Sequence, residues 1–375
     1  MGESNIRDGR NYGIDLLKMT SMLMVVFLHL LGGGGILDGL EQLSLGYEMM
    51  WLLETACYCA VNCFAMATGY IMCRTRFKYS RIIALWLQVV FYTLGITLLF
   101  SLFMPGYVGL RQWKWALTPV ASMQYWYFTA YFGMFFFIPF FNKLIAALDR
   151  RELKHLVAAV ILLFTMLPLI SRQDVFRLHA GYSMAWLSAL YFIGAYFRLY
   201  PPKRDVRSLQ SFLGYCAMIL ATWLSKLAVQ AASSMWGSGE LRTGGALISY
   251  VSPTILAASV FLFLAFANKS FGLWAQKVIS RLSPASFGVY LIHCHPLVWN
   301  YVLWGSLAGL TSLPAFVLGA AVILLGLCVY AVCTMIDLMR GYLFARLGVA
   351  GLSVKAEGLF AAGWTKLSDF FENII

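Results

Sequence analysis

The chain has 375 residues, 61% of them hydrophobic and only 12% charged, with a mean hydropathy of +0.75. Soluble domains average about 45–50% apolar and about 25% charged residues, so composition excludes a soluble globular domain and predicts an all-α polytopic membrane protein. A net charge of +12 would suggest nucleic acid in a soluble chain; here its distribution among the loops carries the information, and a nucleic-acid partner is not expected.

Ten apolar stretches are each close to the ~20 residues that cross a hydrocarbon core. They run over 14–33, 47–73, 82–103, 121–141, 153–171, 181–199, 209–231, 246–267, 285–305 and 313–338. With the N-terminus inside, alternate connections on that side collect 22 of the 28 Lys and Arg; the other side holds Arg111, Lys114, Arg172, Arg177, Lys226 and Arg242. That bias predicts both termini in the cytoplasm. No soluble domain interrupts the spans, so the expected division is a membrane domain over 1–340 and a cytoplasmic tail over 341–375. The tail alternates Leu343, Phe344, Leu347, Leu352, Phe360, Trp364, Leu367, Phe370 and Phe371 with Lys, Arg and Gly, the pattern of one interfacial amphipathic helix or two short ones.

The first span lacks a small-residue cleavage site and carries His29 where a signal peptide would be purely apolar. The eight cysteines fall in or at the edges of spans, so no disulfide framework is expected. Gly32-Gly33-Gly34-Gly35 ends the first span and reads as a flexible external turn.

Lys18 and His29 dominate the first span. Eleven helical steps bring the chain about 20° past three full turns with a rise of about 16 Å, so both residues share one face. An ionisable group at the depth of His29 costs a few kcal/mol unless it faces protein or water, which makes it a functional candidate. Lys18 has a plainer reading as an interfacial anchor paired with Asp15, three positions away. Arg74, Arg76, Lys78 and Arg81 place four cations in eight residues, a patch suited to a polyphosphate such as that of coenzyme A or, more plainly, to lipid phosphates. Glu54 enters from the outer side to about the depth of His29, and a pair between them would fix the imidazole tautomer.

The other imidazoles are less marked: His155 beside Arg150 and Arg151 reads as interfacial, and His179 lies in an external loop with Asp174 and Arg177. His293 and His295 share the ninth stretch, but positions i and i+2 point about 200° apart on a helix, so they do not form a metal pair and no metal is expected. His293 is a second interior polar candidate, with Tyr290 beside it. Gln124, Trp126 and Tyr127 open the fourth stretch; they read as an aromatic belt or as the lining of a sugar or acyl cavity.

Together these features resemble the acyltransferase 3 family of bacterial integral-membrane acyltransferases, from Arg10 to about Arg340. Lys18-x10-His29 resembles that family's Arg/Lys-x10-His motif, whose His is taken as catalytic, and Lys78-Tyr79-Ser80-Arg81 resembles its cytoplasmic Arg-x-x-Arg motif. The runs Phe64 to Tyr70, Gln124 to Phe128 and Ser286 to His293 are similar to its Phe-Phe-x-Ile-Ser-Gly-Tyr, His-x-Trp-Phe and Tyr-Leu-x-His elements. Thr68 departs from the usual Ser, and Asn62 stands where many members have Asp. Some members carry an extracytoplasmic hydrolase-like domain or a fused racemase, and this sequence has neither.

The resemblance implies a stand-alone transferase in the bacterial cytoplasmic membrane, moving an acyl group, most simply acetyl, from acyl-CoA to a hydroxyl of a glycan, a lipid-linked sugar or another acceptor. In that reading the CoA phosphates sit on Lys18, Arg74, Arg76, Lys78 and Arg81, and His29 is base or transient acyl carrier. Acetyl-CoA is then donor substrate, the bilayer the surroundings, and further copies of the chain conceivable partners. The competing class is a transporter for a small anion or amino acid, which interior ionisable residues also suit. No clear internal repeat supports it.

Overall fold

The computed structural model describes residues 10–202, 208–235 and 247–372. Arg7, Lys203, Arg204, Arg207, Arg242 and the start of the stretch at 246 lie outside them, as do the side chains of Phe360, Trp364, Lys366, Leu367, Phe370 and Phe371. The described chain is helical without strands. The helices that matter for the site are α1 (Tyr12–Leu31), α2 (Leu45–Cys57), α3 (Ala60–Met72), α4 (Ser80–Phe103), α5 (Trp126–Phe135), α6 (Ile138–Ala147), α7 (Arg150–Ile161) and α8 (Met184–Leu199). They are followed by α9 (Ser208–Met235), α10 (Pro253–Ala267), α11 (Leu273–Leu282), α12 (Ser286–His293), α13 (Ala315–Arg346) and α14 (Val349–Glu372).

Six helices among the described residues are long and apolar enough to cross a membrane, or seven if α5 and α6, bent by 56° to each other, count as one. The other apolar stretches form helices too short for that: α8 has 16 residues and α10 has 15. At 1.5 Å per residue they rise about 22–24 Å against a core of about 30 Å. The stretch 285–305 is not one helix. It stops after His293, turns through Cys294 and His295, and resumes at Pro296–Val298. Pro296 causes the break, because proline lacks an N–H and drives the residue before it out of the helical region; His295 stands at φ −56°, ψ 132°.

α1 is the hub, packing against α2, α3, α10, α11, α12 and α13. It begins where the Asn11 side chain accepts from the backbone N–H groups of Gly13 (2.9 Å) and Ile14 (3.1 Å). It ends at the four glycines, which are not a loose turn: the carbonyls of Gly33 and Gly34 accept from the N–H groups of Gly305 (2.9 Å) and Leu307 (3.0 Å). α3 and α8 cross at Gly69 and Gly194, where a Cβ on either would run into the carbonyl of Tyr191 or Met66.

A polar network unseen in the sequence ties α4, α12 and α13. Buried Asp337 accepts from Gln88 Nε2 (2.9 Å), the Tyr92 hydroxyl (2.8 Å) and Arg340 Nε and Nη2 (3.0 and 2.7 Å). Gly288 of α12 packs so tightly against Asp337 that a Cβ there would overlap the carboxylate. The network thereby sets the height of α12, and with it His293.

Candidate active site

His29 and His293, 264 residues apart, meet through a hydrogen bond of 2.9 Å between Nδ1 of the first and Nε2 of the second. The proton positions follow from the far end. His293 Nδ1 lies 2.6 Å from the Val289 carbonyl, which only accepts, so Nδ1 carries the proton and Nε2 of neutral His293 is the acceptor. His29 Nδ1–H therefore donates to His293, and the lone pair of His29 is on Nε2. Trp299 holds the other side of the ring edge-on, at 5.0 Å between centroids and 89° between planes. A side chain on Gly33 would collide with that indole, so glycine there admits Trp299 against His29.

The Glu54 partnership expected for His29 does not form. The ring is bonded to His293, and Glu54 Oε2 is buried without a hydrogen-bond partner.

His29 lines a narrow cavity of about 30 Å³, with Trp126, Tyr127, Tyr290, Tyr250 and Phe64 among its walls. Three of the four aromatic and amide positions singled out in the sequence are there. Gln124 is not, and its backbone N–H instead closes a turn onto the Pro119 carbonyl (3.0 Å). Tyr250 was not foreseen. It joins Tyr58, Tyr182 and Trp126 in a run of rings with centroids 4.5–6.3 Å apart. Asn62 supports this wall by donating to the Tyr250 carbonyl (2.8 Å) and accepting from Trp186 Nε1 (2.9 Å). An amide does both, and an ionised carboxylate could not donate.

A second cavity adjoins the first, sharing Phe64 and Tyr127 with it, and has Lys18, Thr68 and Tyr131 in its walls. It shares Lys18 and Ile71 with a third, at the N-terminal end of α1, lined by Arg10, Arg74, Arg76 and Arg198 as well as Lys18. Lys18 pairs with Asp15 (3.5 Å), as its plainer reading expects, and Arg10 holds the other carboxylate oxygen (2.6 Å). Three adjoining cavities thus lead from five cations to His29. Lys78 and Arg81 do not line this vestibule; Arg81 Nη1 turns toward Met72 Sδ (3.2 Å).

A sequence model of the acyltransferase 3 family, described as an acyltransferase domain, matches residues 11–334. The chain belongs to that family. No curated protein and no solved structure matches it. The acyltransferase 3 match spans α1 through most of α13, so it contains both histidines, the aromatic cavity and the vestibule except Arg10. Membership supports acyltransferase activity in a multi-pass membrane protein.

The sequence could not show that His293 is the partner of His29, nor that Arg10 and Arg198 join the vestibule. One signal was present. Arg198 falls in the last turn of α8, just where a cytoplasmic cation is expected, and only its distance in sequence from Arg74 hid the grouping.

Proposed function

We propose that this acyltransferase moves an acyl group, most simply acetyl, from cytoplasmic acyl-CoA to a hydroxyl of an envelope or exported glycan or of a lipid-linked sugar, in the bacterial cytoplasmic membrane. The observation that carries the reading is the chain of hydrogen bonds from His29 through His293 to the Val289 carbonyl, which leaves His29 Nε2 unprotonated in the wall of an aromatic cavity.

In this mechanism the CoA phosphates lie among Arg10, Lys18, Arg74, Arg76 and Arg198, and the pantetheine arm follows the adjoining cavities inward. The rise of about 16 Å from Lys18 to His29 is shorter than an extended arm. His29 Nε2 takes the acceptor hydroxyl proton as that oxygen attacks the thioester carbonyl. The imidazolium keeps its Nδ1–H on His293, the carbon–sulfur bond breaks, and the CoA thiolate leaves with the proton. The apolar faces of Trp126, Tyr127 and Tyr250 suit a sugar ring as acceptor.

Membrane vesicles containing the wild-type chain or His29→Ala, given acyl-labelled acetyl-CoA and crude envelope material, test this. Ester-linked label in the wild type, lower by about 10²–10⁴-fold in the variant, is expected of a lost general base. Equal transfer by both would remove His29 from the mechanism. Intact donor crossing the membrane would favour transport.

A further inference from the structure

Cys294 stands next to the imidazole pair but takes no part in the proposed transfer. Its Sγ is 3.2 Å from His29 Nδ1 and 3.3 Å from His293 Nε2, while those nitrogens are 2.9 Å apart. Three ligand-type atoms therefore converge on one point. Consecutive residues on an intact helix point about 100° apart and would not converge. Cys294 is the first residue past the end of α12, at φ −92°, ψ 3°, and the break imposed by Pro296 turns its thiol back onto His293. The spacing argument excluded His293 with His295, and the fold supplies a different set from two distant segments.

We propose that His29 Nδ1, His293 Nε2 and Cys294 Sγ bind a zinc-class divalent cation, and that the bound ion arrests His29 as a base. Two imidazoles and a thiolate are a borderline-soft donor set, suited to zinc and poor for magnesium or calcium. With bonds of about 2.0–2.1 Å to nitrogen and about 2.3 Å to sulfur, the three separations give ligand angles of about 90–100°. A few tenths of an ångström of opening reaches tetrahedral values, with a fourth position left for water. His293 already has the support common to metal-bound imidazoles, its second nitrogen donating to a backbone carbonyl. Of the three ligands, His29 lines the aromatic cavity and Cys294 is only partly buried.

Binding redistributes protons in a defined way. The Cys294 thiol loses its proton to solvent, one per ion. His29 Nδ1 gives its lone pair to the metal, so the proton of the neutral ring moves to Nε2, the nitrogen that the transfer mechanism needs bare. The ion also displaces the His29–His293 hydrogen bond. Occupancy and base catalysis are therefore mutually exclusive. The binding stands independently of the transferase reading, and only the arrest rests on it.

Cobalt(II) is the probe, added to the purified full-length chain in detergent. Expected are one bound cobalt, tetrahedral visible absorption with a thiolate-to-cobalt charge-transfer band, one proton released, and displacement by zinc. Cys294→Ala is expected to lose the charge-transfer band and at least tenfold in zinc affinity against a chelating dye, and His293→Ala to lose a similar affinity. Cys328→Ala, which alters an exposed thiol on α13, should bind as the wild type does. No band in the wild type, or the same zinc affinity in Cys294→Ala, would overturn the site. Inhibition of acyl transfer by zinc, relieved in Cys294→Ala, is expected of the arrest; transfer unaffected at saturating zinc would overturn the arrest and leave the cobalt result standing.

Discussion

At His29 the tautomer is set from outside the ring, by a backbone carbonyl acting through a second imidazole. Protonation of Nε2 during transfer turns the His29–His293 contact into a charge-assisted hydrogen bond, and such bonds contribute about 1.5–3 kcal/mol. His293→Phe, which keeps the ring volume and removes the acceptor, should lower kcat by about 10–100-fold. The KM for acyl-CoA should change less than about twofold, since the vestibule is untouched. A rise in KM with kcat preserved would point to a binding role instead. Glu54→Gln is the control, and steady-state kinetics should find it within about threefold of wild type, because the His29 ring is bonded to His293 and Glu54 Oε2 has no hydrogen-bond partner. The sequence made the opposite choice for a physical reason. Counting residues along two helices fixes an expected depth in the membrane but not azimuth, so a matching count does not make Glu54 a partner of His29. Lys18 and His29 were legible because both lie on one helix, where spacing fixes both coordinates.

Among elements, the breaks govern the site more than the helices do. Hydropathy reports how long a stretch is apolar and is blind to a turn made of apolar residues, so 285–305 reads as a span while its chain direction changes at Cys294. Pro296 was the local signal, and its consequence, the convergence of His293 and Cys294 on α1, depends on what packs opposite. The tail is helical over Val349–Glu372, and its docking was not legible in the sequence. Glu357 of α14 reaches back to the start of α4, where its Oε1 accepts from the Tyr79 N–H at 2.6 Å. Desolvation raises the Glu357 carboxyl, and it is outweighed by hydrogen bonds from the Ser80 hydroxyl and the Tyr79 and Ser80 backbone and by Lys78, leaving the group below its ordinary value. Docking is then fully favoured above the free carboxylate value of about 4.3 and is lost as pH falls through the lower docked value. Glu357→Gln should reproduce that loss at neutral pH, with amide hydrogen exchange over residues 349–358 faster by about three- to tenfold, the range of a weakened helix cap. Unchanged exchange in the variant would mean that apolar packing on α4 alone holds the tail.

For the whole molecule, the decisive feature is polarity along the bundle. Cations gather at the N-terminal end of α1, aromatic rings line the cavity at His29, and another cavity lies between, sharing Lys18 with the first group and Phe64 and Tyr127 with the second. The basic bias of the loops suggests the orientation from charge placement alone; short α8 and α10 and the broken 285–305 stretch have the composition of spans without the length of one unbroken helix. If the vestibule faces the cytoplasm, sealed inverted vesicles should label their acceptor from acetyl-CoA added outside, and right-side-out vesicles should do so only after permeabilisation. Arg74→Ala with Arg76→Ala should raise the KM for acyl-CoA by about 10–100-fold, the scale expected when one charge-assisted hydrogen bond to phosphate is removed, with kcat preserved because His29 and His293 keep their bond. Added salt should weaken the wild type toward the variant. Labelling by right-side-out vesicles alone would reverse the orientation assigned from the loops. Equal KM values in the two proteins would move the donor phosphates away from the vestibule, to the Lys78 and Arg81 side of α4.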